Sequence, residues 1–267
     1  MKIFFAGSLS HIDKVRRLGV KNFLSSFIEG DRIFKCFNSS DKIILDSGAF
    51  SVWNKGVKID INKYKEKIKL VPKNWIKVSL DVIPKTGSTS KEIEKCCDES
   101  LENFLFLYKA DKNILPVFHY GESSKYLKKY LDRCGYIGLS PANDTMEVVK
   151  RRFLSECFSI VKDSCKTHGF GYCSSRGLTI FPFYSIDSTT WLNGGKYGEI
   201  HKFRMGNIFR NKSLDVNSLL IPLNECSLLD KNDSKGTIRS YYNLLEWIKF
   251  EKFVTELWEK RGVEWND

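Results

Sequence analysis

The sequence lacks the long apolar runs of a membrane protein. None of its segments approaches the stretch of about 18 consecutive apolar residues that a transmembrane helix requires, so we expect no such helix. The N-terminal apolar run, within residues 1–7, is too short for a secretory signal and is typical of a first β-strand. These absences favour a cytoplasmic protein that has no membrane partner.

Cysteine pairs with the spacing of a zinc or redox site are also missing. The sequence holds eight cysteines but no Cys-x-x-Cys pair, so neither a zinc ribbon nor a dithiol redox pair is indicated. Only Cys96 and Cys97 are close in sequence, and adjacent cysteines rarely form a disulfide. We therefore expect most of these cysteines to be inert, partly buried thiols. The eight are Cys36, Cys96, Cys97, Cys134, Cys157, Cys165, Cys173 and Cys226.

Positive charge, in contrast, is in excess. Lys and Arg number 43 against 32 Asp and Glu, which gives a formal net charge of +11. Such an excess favours a polyanionic partner through long-range attraction and release of counterions. A solvated, lysine-rich surface that aids solubility is the alternative, and charge alone leaves the two open.

Eight short β-type runs alternate with helical or loop segments along the first two thirds of the chain. The runs are 3–6, 22–25, 42–46, 75–80, 114–119, 136–139, 167–170 and 181–187. Helices are predicted around 60–70, 90–108, 123–134 and 145–165, the last preceded by the capping residues 143–147. The predicted strands are apolar on both faces, as parallel strands that are covered on each side are. This alternation predicts an α/β fold, a TIM-like (β/α)8 barrel.

The pattern changes after about residue 198. Segments 201–208 and 219–223 are predicted strands, 230–236 is a predicted loop, and 237–260 is predicted as one long helix. The aromatic residues of that helix favour packing onto the barrel, although base stacking is an alternative use for some of them. We therefore predict a barrel core over 1–200 and a packed C-terminal helical extension over 201–267, within a single domain.

Polar residues and glycines occupy the predicted C-terminal ends of the strands, where the catalytic groups of a barrel converge. The two strongest candidates are Asp46 and Asp187, because a buried carboxylate without a function is costly. Two carboxylates supply what cleavage of a glycosidic bond requires, a nucleophile and an acid/base. The residues at these ends are Asp46, Asp81, His119, Gly138, Leu139, His168, Gly169 and Asp187.

Structural or other chemical roles remain open for several of these candidates. Asp81 is also suited to capping a loop, and both His119 and His168 to a place in the core. Asp46, Asp81, Asp187 and His119 are residue types that would suit a metal, but no His-x-His or Asp-x-Asp spacing supports one. Gly-x-Ser-x-Gly is absent, and only Cys173 follows closely on a strand end. We expect no metal and no other cofactor.

Five segments occur together in an order that is found in one known family. They are LDSGAFS (45–51), LDVIP (80–84), YIGLSP (136–141), HGFG (168–171) and YSIDSTTW (184–191). In this combination they resemble the tRNA-guanine transglycosylase superfamily. The similarity is greatest to its compact phage and bacterial branch, which places 7-deazaguanine (queuosine-related) bases in DNA.

The resemblance implies a role for each matching residue. Asp187 would attack C1′ of a guanosine to form a covalent sugar ester, and Asp46 would be the general acid/base. Phe50 would stack on the base, and Asp81 would read its N1–H and exocyclic amine. The resemblance further places His119 where the family has a glutamine, and it places Gly138, Leu139, His168 and Gly169 around the base. Ser188, Thr189 and Thr190 would contact the phosphates.

One departure from the family concerns zinc. Members that act on tRNA carry a Cys-x-Cys-x-x-Cys cluster with a later histidine, whereas only Cys226 lies in that region here. We therefore expect DNA and a free 7-deazaguanine base as substrates. The alternatives are a tRNA guanine transglycosylase that manages without zinc, a nucleic-acid N-glycosidase, and a nucleic-acid-binding barrel without activity.

Overall fold

The computed structural model describes residues 1–49, 59–84, 87–142, 144–211 and 233–265. The chain divides into two compact units, Leu24–Tyr172 and the combination of Met1–Phe23 with Cys173–Asp267. Strands and helices alternate along both, so the fold is α/β and consistent with a TIM-like (β/α) barrel. The predicted fold class is thereby confirmed. None of the helices in the described ranges combines the length and apolar character that crossing a bilayer requires.

The unit Leu24–Tyr172 holds most of the parallel strands. Their order is β5-β4-β3-β2 in one run and β8-β7-β6 in another. The strands are β2 (Asn22–Ser26), β3 (Lys42–Asp46), β4 (Ile76–Val78), β5 (Ile114–Leu115), β6 (Val117–His119), β7 (Tyr136–Ser140) and β8 (Lys166–Gly169). The helices that alternate with them are α2 (Arg32–Cys36), α3 (Ile61–Lys69), α4 (Ser90–Ala110), α5 (Ser124–Leu131) and α6 (Glu147–Val161).

Pro116 divides the fifth predicted strand into two. The sequence predicts one strand over 114–119, whereas β5 ends at Leu115 and β6 begins at Val117. Proline has no N–H and interrupts the hydrogen-bond ladder at this point. β5 therefore pairs with β4, and β6 pairs with β7.

Two predicted helix starts have different outcomes. Helix α4 begins at Ser90, and Thr89 is its N-cap in a capping box. The Thr89 N–H donates to the Glu92 carboxylate at 2.7 Å. The predicted capping of α6 is wrong, since its N-cap is Met146 and no side chain caps it there. Of the predicted capping residues, Asn143 lies outside the described residues.

The second unit is built around the parallel pair β1 (Lys2–Ala6) and β9 (Ser185–Ser188). The long helix α9 (Lys235–Lys260) packs against β1, where Glu251 accepts a hydrogen bond from the Ile3 N–H at 2.7 Å. Five aromatic side chains of α9 are buried, which confirms that this helix uses them mainly for packing. They are Tyr241, Tyr242, Trp247, Phe250 and Trp258. The described part of this unit also contains the shorter helices α1 (Ile12–Arg17), α7 (Ser175–Leu178) and α8 (Asn193–Tyr197).

The segment before α9 differs from the prediction. In place of one strand over 201–208 there is a hairpin of β10 (Ile200–Arg204) and β11 (Asn207–Asn211). The turn residues Met205 and Gly206 both have positive φ, 50° and 76°, as a two-residue type I′ turn requires. The predicted loop over 230–236 is also too long, because Ser234 caps α9 and the helix begins at Lys235. The predicted strand at 219–223 lies outside the described residues.

The seven cysteines within the described residues are all at least partly buried. Burial raises the pKa of Cys97, Cys157 and Cys165 to about 12 and that of Cys134 to about 11. A thiol with so high a pKa is a poor nucleophile at neutral pH. These values agree with the expected inert thiols.

Candidate functional site

The predicted site residues are divided between the two units. Asp187, Ser188, Thr189 and Thr190 belong to the unit with β1 and β9, and Phe50 lies outside the described residues. That the Asp46 and Asp187 carboxylates face one cavity stays a prediction. The other predicted site residues belong to Leu24–Tyr172, namely Asp46, Asp81, His119, Gly138, Leu139, His168 and Gly169.

Asp46 is the last residue of β3 and is half-buried. Its Oδ2 accepts a hydrogen bond from the Gly48 N–H at 3.0 Å, so the turn after the strand orients the carboxylate. Gly48 has a φ of 76°, and a Cβ there would lie 2.6 Å from Cγ1 of Ile28. Both the backbone conformation and the space therefore require glycine, which gives the Asp-Ser-Gly motif a physical reason.

Asp81, three residues past the end of β4, meets His119, the last residue of β6. His119 Nε2 lies 3.1 Å from Asp81 Oδ2, and the side chains are 31% and 12% exposed, respectively. Helix α4 holds the residues before and after Asp81. Its Asn103 side chain donates to the Leu80 carbonyl, and its Ser100 hydroxyl accepts from the Val82 N–H. The Asp81 side chain thus bonds a residue from another strand, which favours a site residue over a local loop cap.

The electrostatic surroundings of His119 raise its pKa above 6.5. Burial by itself lowers this pKa, but the hydrogen bond and the negative charge of Asp81 raise it more, and the charge of Glu122 adds to the rise. The protonated ring is therefore favoured. It carries N–H donors on both nitrogens, of which one bonds to Asp81.

Sequence reasoning missed Glu122 and Cys97, which adjoin this pair. Burial and the charge of Asp81 raise the pKa of Glu122, against the opposing influences of His119 and of a hydrogen bond with Cys97. Within the described residues, the buried Oε2 of Glu122 has no hydrogen-bond partner. The sequence offered one signal for Glu122, which lies three residues after His119. The turn between them contains Gly121, where φ is 93°.

Tyr64 is a second residue that the sequence did not single out. Its hydroxyl donates to the Val78 carbonyl at 2.6 Å, and the ring is fully buried. Burial raises the pKa of Tyr64, and the charges of Asp46 and Asp81 raise it further. The two carboxylates thus share the electrostatic surroundings of one buried phenol.

A cavity of about 520 Å³ adjoins Glu122 between β6 and the helices α5 and α6. Phe118 and Phe153 stack along its wall with ring centroids 5.7 Å apart, and Tyr120 meets Phe153 edge-on. The volume is within the range of small-ligand pockets. Glu122 therefore lies between this cavity and the Asp81–His119 pair.

The predicted base-lining residues of β7 and β8 are largely committed to the sheet. The Gly138 N–H donates to the Pro116 carbonyl at 2.8 Å, and the Leu139 carbonyl accepts from the Phe170 N–H at 2.9 Å. Gly138 has to be glycine, since a Cβ would lie 2.5 Å from the Phe170 ring. Its N–H is therefore not the donor that a base would meet.

His168 and Gly169 are buried residues of β8. The His168 ring is inaccessible to solvent and lies 4.4 Å from the Phe170 ring, centroid to centroid, in an edge-on arrangement. Tyr136 adds a second edge-on contact at 6.5 Å. This aromatic packing favours a core role for His168, while Gly169 pairs with Leu139 in the sheet.

In the other unit, Asp187 is a half-buried residue of β9 and pairs with Phe4 of β1. The Cys173 thiol donates to the Asp187 backbone carbonyl at 3.2 Å, which ties the strand to the start of α7. The Ser188 and Thr190 hydroxyls are 2.8 Å apart and bonded to each other, whereas Thr189 is exposed. Of the three predicted phosphate-binding hydroxyls, Thr189 is thus the most accessible.

No group of three or more His, Cys, Asp or Glu side chains in the described ranges has an arrangement that could hold a metal ion. Comparison of the chain with models of known protein families finds no family that matches. A search of curated proteins likewise finds no matching protein.

Proposed function

We propose that this protein is a guanine transglycosylase that exchanges guanine in DNA for a 7-deazaguanine base. The observation that carries the proposal is the Asp81–His119 pair, a carboxylate and an imidazole joined at 3.1 Å near the C-terminal ends of two strands. The resemblance of the five motifs to the transglycosylase superfamily supports the same reading.

The pair suits the edge of guanine. The base presents two neighbouring donors, N1–H and the exocyclic amine, which a carboxylate such as Asp81 accepts. It also presents a carbonyl oxygen, for which a protonated His119 has an N–H besides the one bonded to Asp81. The raised pKa of His119 favours that protonated form.

The proposed chemistry is a double displacement at C1′. The Asp187 carboxylate attacks C1′, the C1′–N9 bond breaks, and protonated Asp46 supplies the proton with which guanine leaves. Asp46, now a carboxylate, removes the N9 proton of the incoming base. That nitrogen then attacks C1′ and releases Asp187, so every proton and bond is balanced without an oxidant or another cofactor.

One feature favours a nucleic acid and another favours DNA over tRNA. The net charge of +11 favours a polyanion, and the cysteine cluster of the tRNA-acting family members is missing from the sequence. A base in duplex DNA has to leave the stack before C1′ is accessible, at a cost of a few kcal/mol. The positive charge of the protein helps to offset that cost.

The direct test incubates the protein with labelled guanine and with DNA or tRNA in parallel. We expect label in DNA, and no covalent DNA adduct from Asp187→Asn. Label in tRNA alone would identify a tRNA enzyme that works without zinc. Release of guanine without incorporation would identify an N-glycosidase, and normal exchange by Asp187→Asn would rule out the mechanism.

A further inference from the structure

The hairpin β10–β11 presents one basic face. Opposite residues of an antiparallel pair share a face, and the register places Lys202 opposite Phe209 and Arg204 opposite Asn207. Lys202, Arg204 and Phe209 are exposed, Phe209 to 54%. The hairpin contains no acidic residue. Two cations and an exposed ring therefore lie side by side on this face.

The opposite face of the hairpin is anchored to α9. Phe203 packs on Phe250 and Phe253 with ring centroids 5.9 and 5.5 Å apart. The Phe203 N–H donates to Glu246 at 2.6 Å, and a Cβ on Gly206 would lie 2.9 Å from the Phe253 ring. These contacts hold the basic face in a fixed position.

A groove of about 700 Å³ runs beside the hairpin, between α7 and the end of α9. We call it the hairpin groove. Arg176 and Arg261 supply its cations, and its polar groups come from Ser175, Thr179 and Asn207. None of the described residues that line it is acidic. The remaining lining residues are Met205, Gly206, Ile208, Phe209, Phe253 and Leu257.

Arg261 is held in place at the groove. Its Nη1 donates to the Thr179 carbonyl at 2.6 Å, and its guanidinium lies 4.8 Å from the centroid of the Trp258 ring. Neither contact neutralises the positive charge, so the guanidinium remains able to bind an anion.

Several acidic residues of this unit have partners of their own. Glu199 accepts from Asn193 and lies 3.5 Å from His201, and Glu246 pairs with Lys249 at 2.8 Å. Further along α9, Glu256 lies 4.0 Å from Lys252. None of these three carboxylates is among the described residues that line the hairpin groove.

The tip of the hairpin exposes a strained apolar side chain. Met205 has a φ of 50°, which is uncommon for a residue other than glycine, asparagine or aspartate, and it is 84% exposed. A strained residue that makes no packing contribution points to a function. Apolar side chains of this kind insert between bases in several DNA-binding proteins.

We propose that the hairpin groove binds an unpaired stretch of the DNA substrate. Arg176 and Arg261 contact phosphates, and Phe209 stacks on a base with Met205 beside it. Paired cations with an exposed ring are the combination by which proteins bind single strands. This inference rests on the proposed function for its choice of DNA as the polymer.

The test measures binding of a fluorescein-labelled oligodeoxythymidylate of about 16 nucleotides by fluorescence anisotropy at several salt concentrations. The double variant Arg176→Gln/Arg261→Gln is expected to weaken binding about tenfold. The slope of log K against the logarithm of the salt concentration should become shallower by about 1.4, which is about 0.7 for each lost phosphate contact. Phe209→Ala is expected to weaken binding about tenfold without changing the salt dependence.

Matched controls lie at exposed sites in the other unit. Arg152→Gln removes an arginine whose side chain is 84% exposed, and Leu70→Ala removes an apolar side chain from a residue that is 71% exposed. Both are expected to bind DNA like the wild type. Arg176→Gln alone, at an exposed residue of α7, tests the inference if the double variant does not fold.

Several outcomes would overturn the inference. They are equal losses in the groove variants and the controls, an unchanged salt dependence in the arginine variants, or tighter binding to oligouridylate or to phosphatidylserine vesicles than to DNA. Asp187→Asn separates this test from that of the proposed function. It is expected to bind the oligonucleotide normally, whether or not it exchanges guanine.

Discussion

Two regions of this protein hold their charges in opposite ways. Around His119 in the unit Leu24–Tyr172, charged groups are largely buried and alter one another's pKa values. Along the hairpin groove in the other unit, the cations are exposed and the described part of the lining holds no acid. The first arrangement is suited to recognising one base through oriented hydrogen bonds. The second is suited to capturing a polyanion with little regard to sequence.

The largest expected effect concerns the nucleophile. Asp187→Asn should lower guanine exchange by a factor of a thousand or more, because the covalent intermediate requires the carboxylate, and DNA binding should be unchanged. Exchange is measured with labelled guanine, and binding by anisotropy. Asp13→Asn is the control, at a side chain of the same unit that is 83% exposed. A parallel loss of binding would mean that chemistry and capture are not separate.

A smaller loss is expected at the base-recognition pair. Asp81→Asn should lower kcat/KM for exchange about a hundredfold, since it replaces an acceptor for two guanine donors by a mixed donor and acceptor. It should also lower the pKa of His119, which Asp81 raises. Steady-state exchange and an NMR titration of the imidazole check the two effects. Asp132→Asn, at an exposed residue of the same unit, should change neither.

The pH dependence of guanine exchange tests the effect of Glu122 on His119. The pKa of His119 is raised in the folded protein, so protonation stabilises the fold at low pH, and this contribution is lost as the pH rises through the raised value. Glu122→Gln removes a charge that raises this pKa. The alkaline decline of exchange and the NMR midpoint of His119 should therefore both move to lower pH.

Glu156→Gln is the control for that shift, because the Glu156 side chain is 65% exposed and does not influence the pKa of His119. An unchanged midpoint in Glu122→Gln would show that Glu122 plays no part in the charge state of His119.

The smallest expected effect is at the hairpin tip. Met205→Asn should raise the stability of the fold by roughly 0.5 kcal/mol, because Asn-Gly is favoured in a type I′ turn, and it should weaken DNA binding a few-fold. Thermal unfolding and anisotropy measure the two changes. Leu70→Asn, at an exposed apolar residue with an ordinary φ of −83°, should give neither. A gain in stability without a loss of binding would remove Met205 from the proposed interface.

The sequence predicted those parts of the fold that depend on local patterns. Apolar runs identified β1, β2 and β3 within one residue at each end, and the long helix predicted over 237–260 corresponds to α9. Errors arose where one residue type decides the outcome, as with Pro116 inside the fifth run and Gly206 inside the hairpin. A single breaker leaves the hydrophobic pattern on both sides intact, so the pattern alone does not reveal it.

The candidate site was predicted as a set of strand ends, but not as a network. Asp81 and His119 are 38 positions apart in the sequence, and their hydrogen bond depends on the sheet that brings their strands together. Cys97 and Glu122 come from a helix and a turn that no strand-end rule includes. The commitment of the Gly138 N–H to Pro116 likewise follows from strand register rather than from residue type.

The most direct test of the central claim is nucleoside mass spectrometry of DNA from cells that express this protein together with a source of 7-deazaguanine bases. We expect 7-deaza-2′-deoxyguanosine derivatives in the DNA of cells with the wild-type protein, and none in cells with Asp187→Asn. Unmodified DNA accompanied by modified tRNA, or modified DNA in the Asp187→Asn cells, would contradict it.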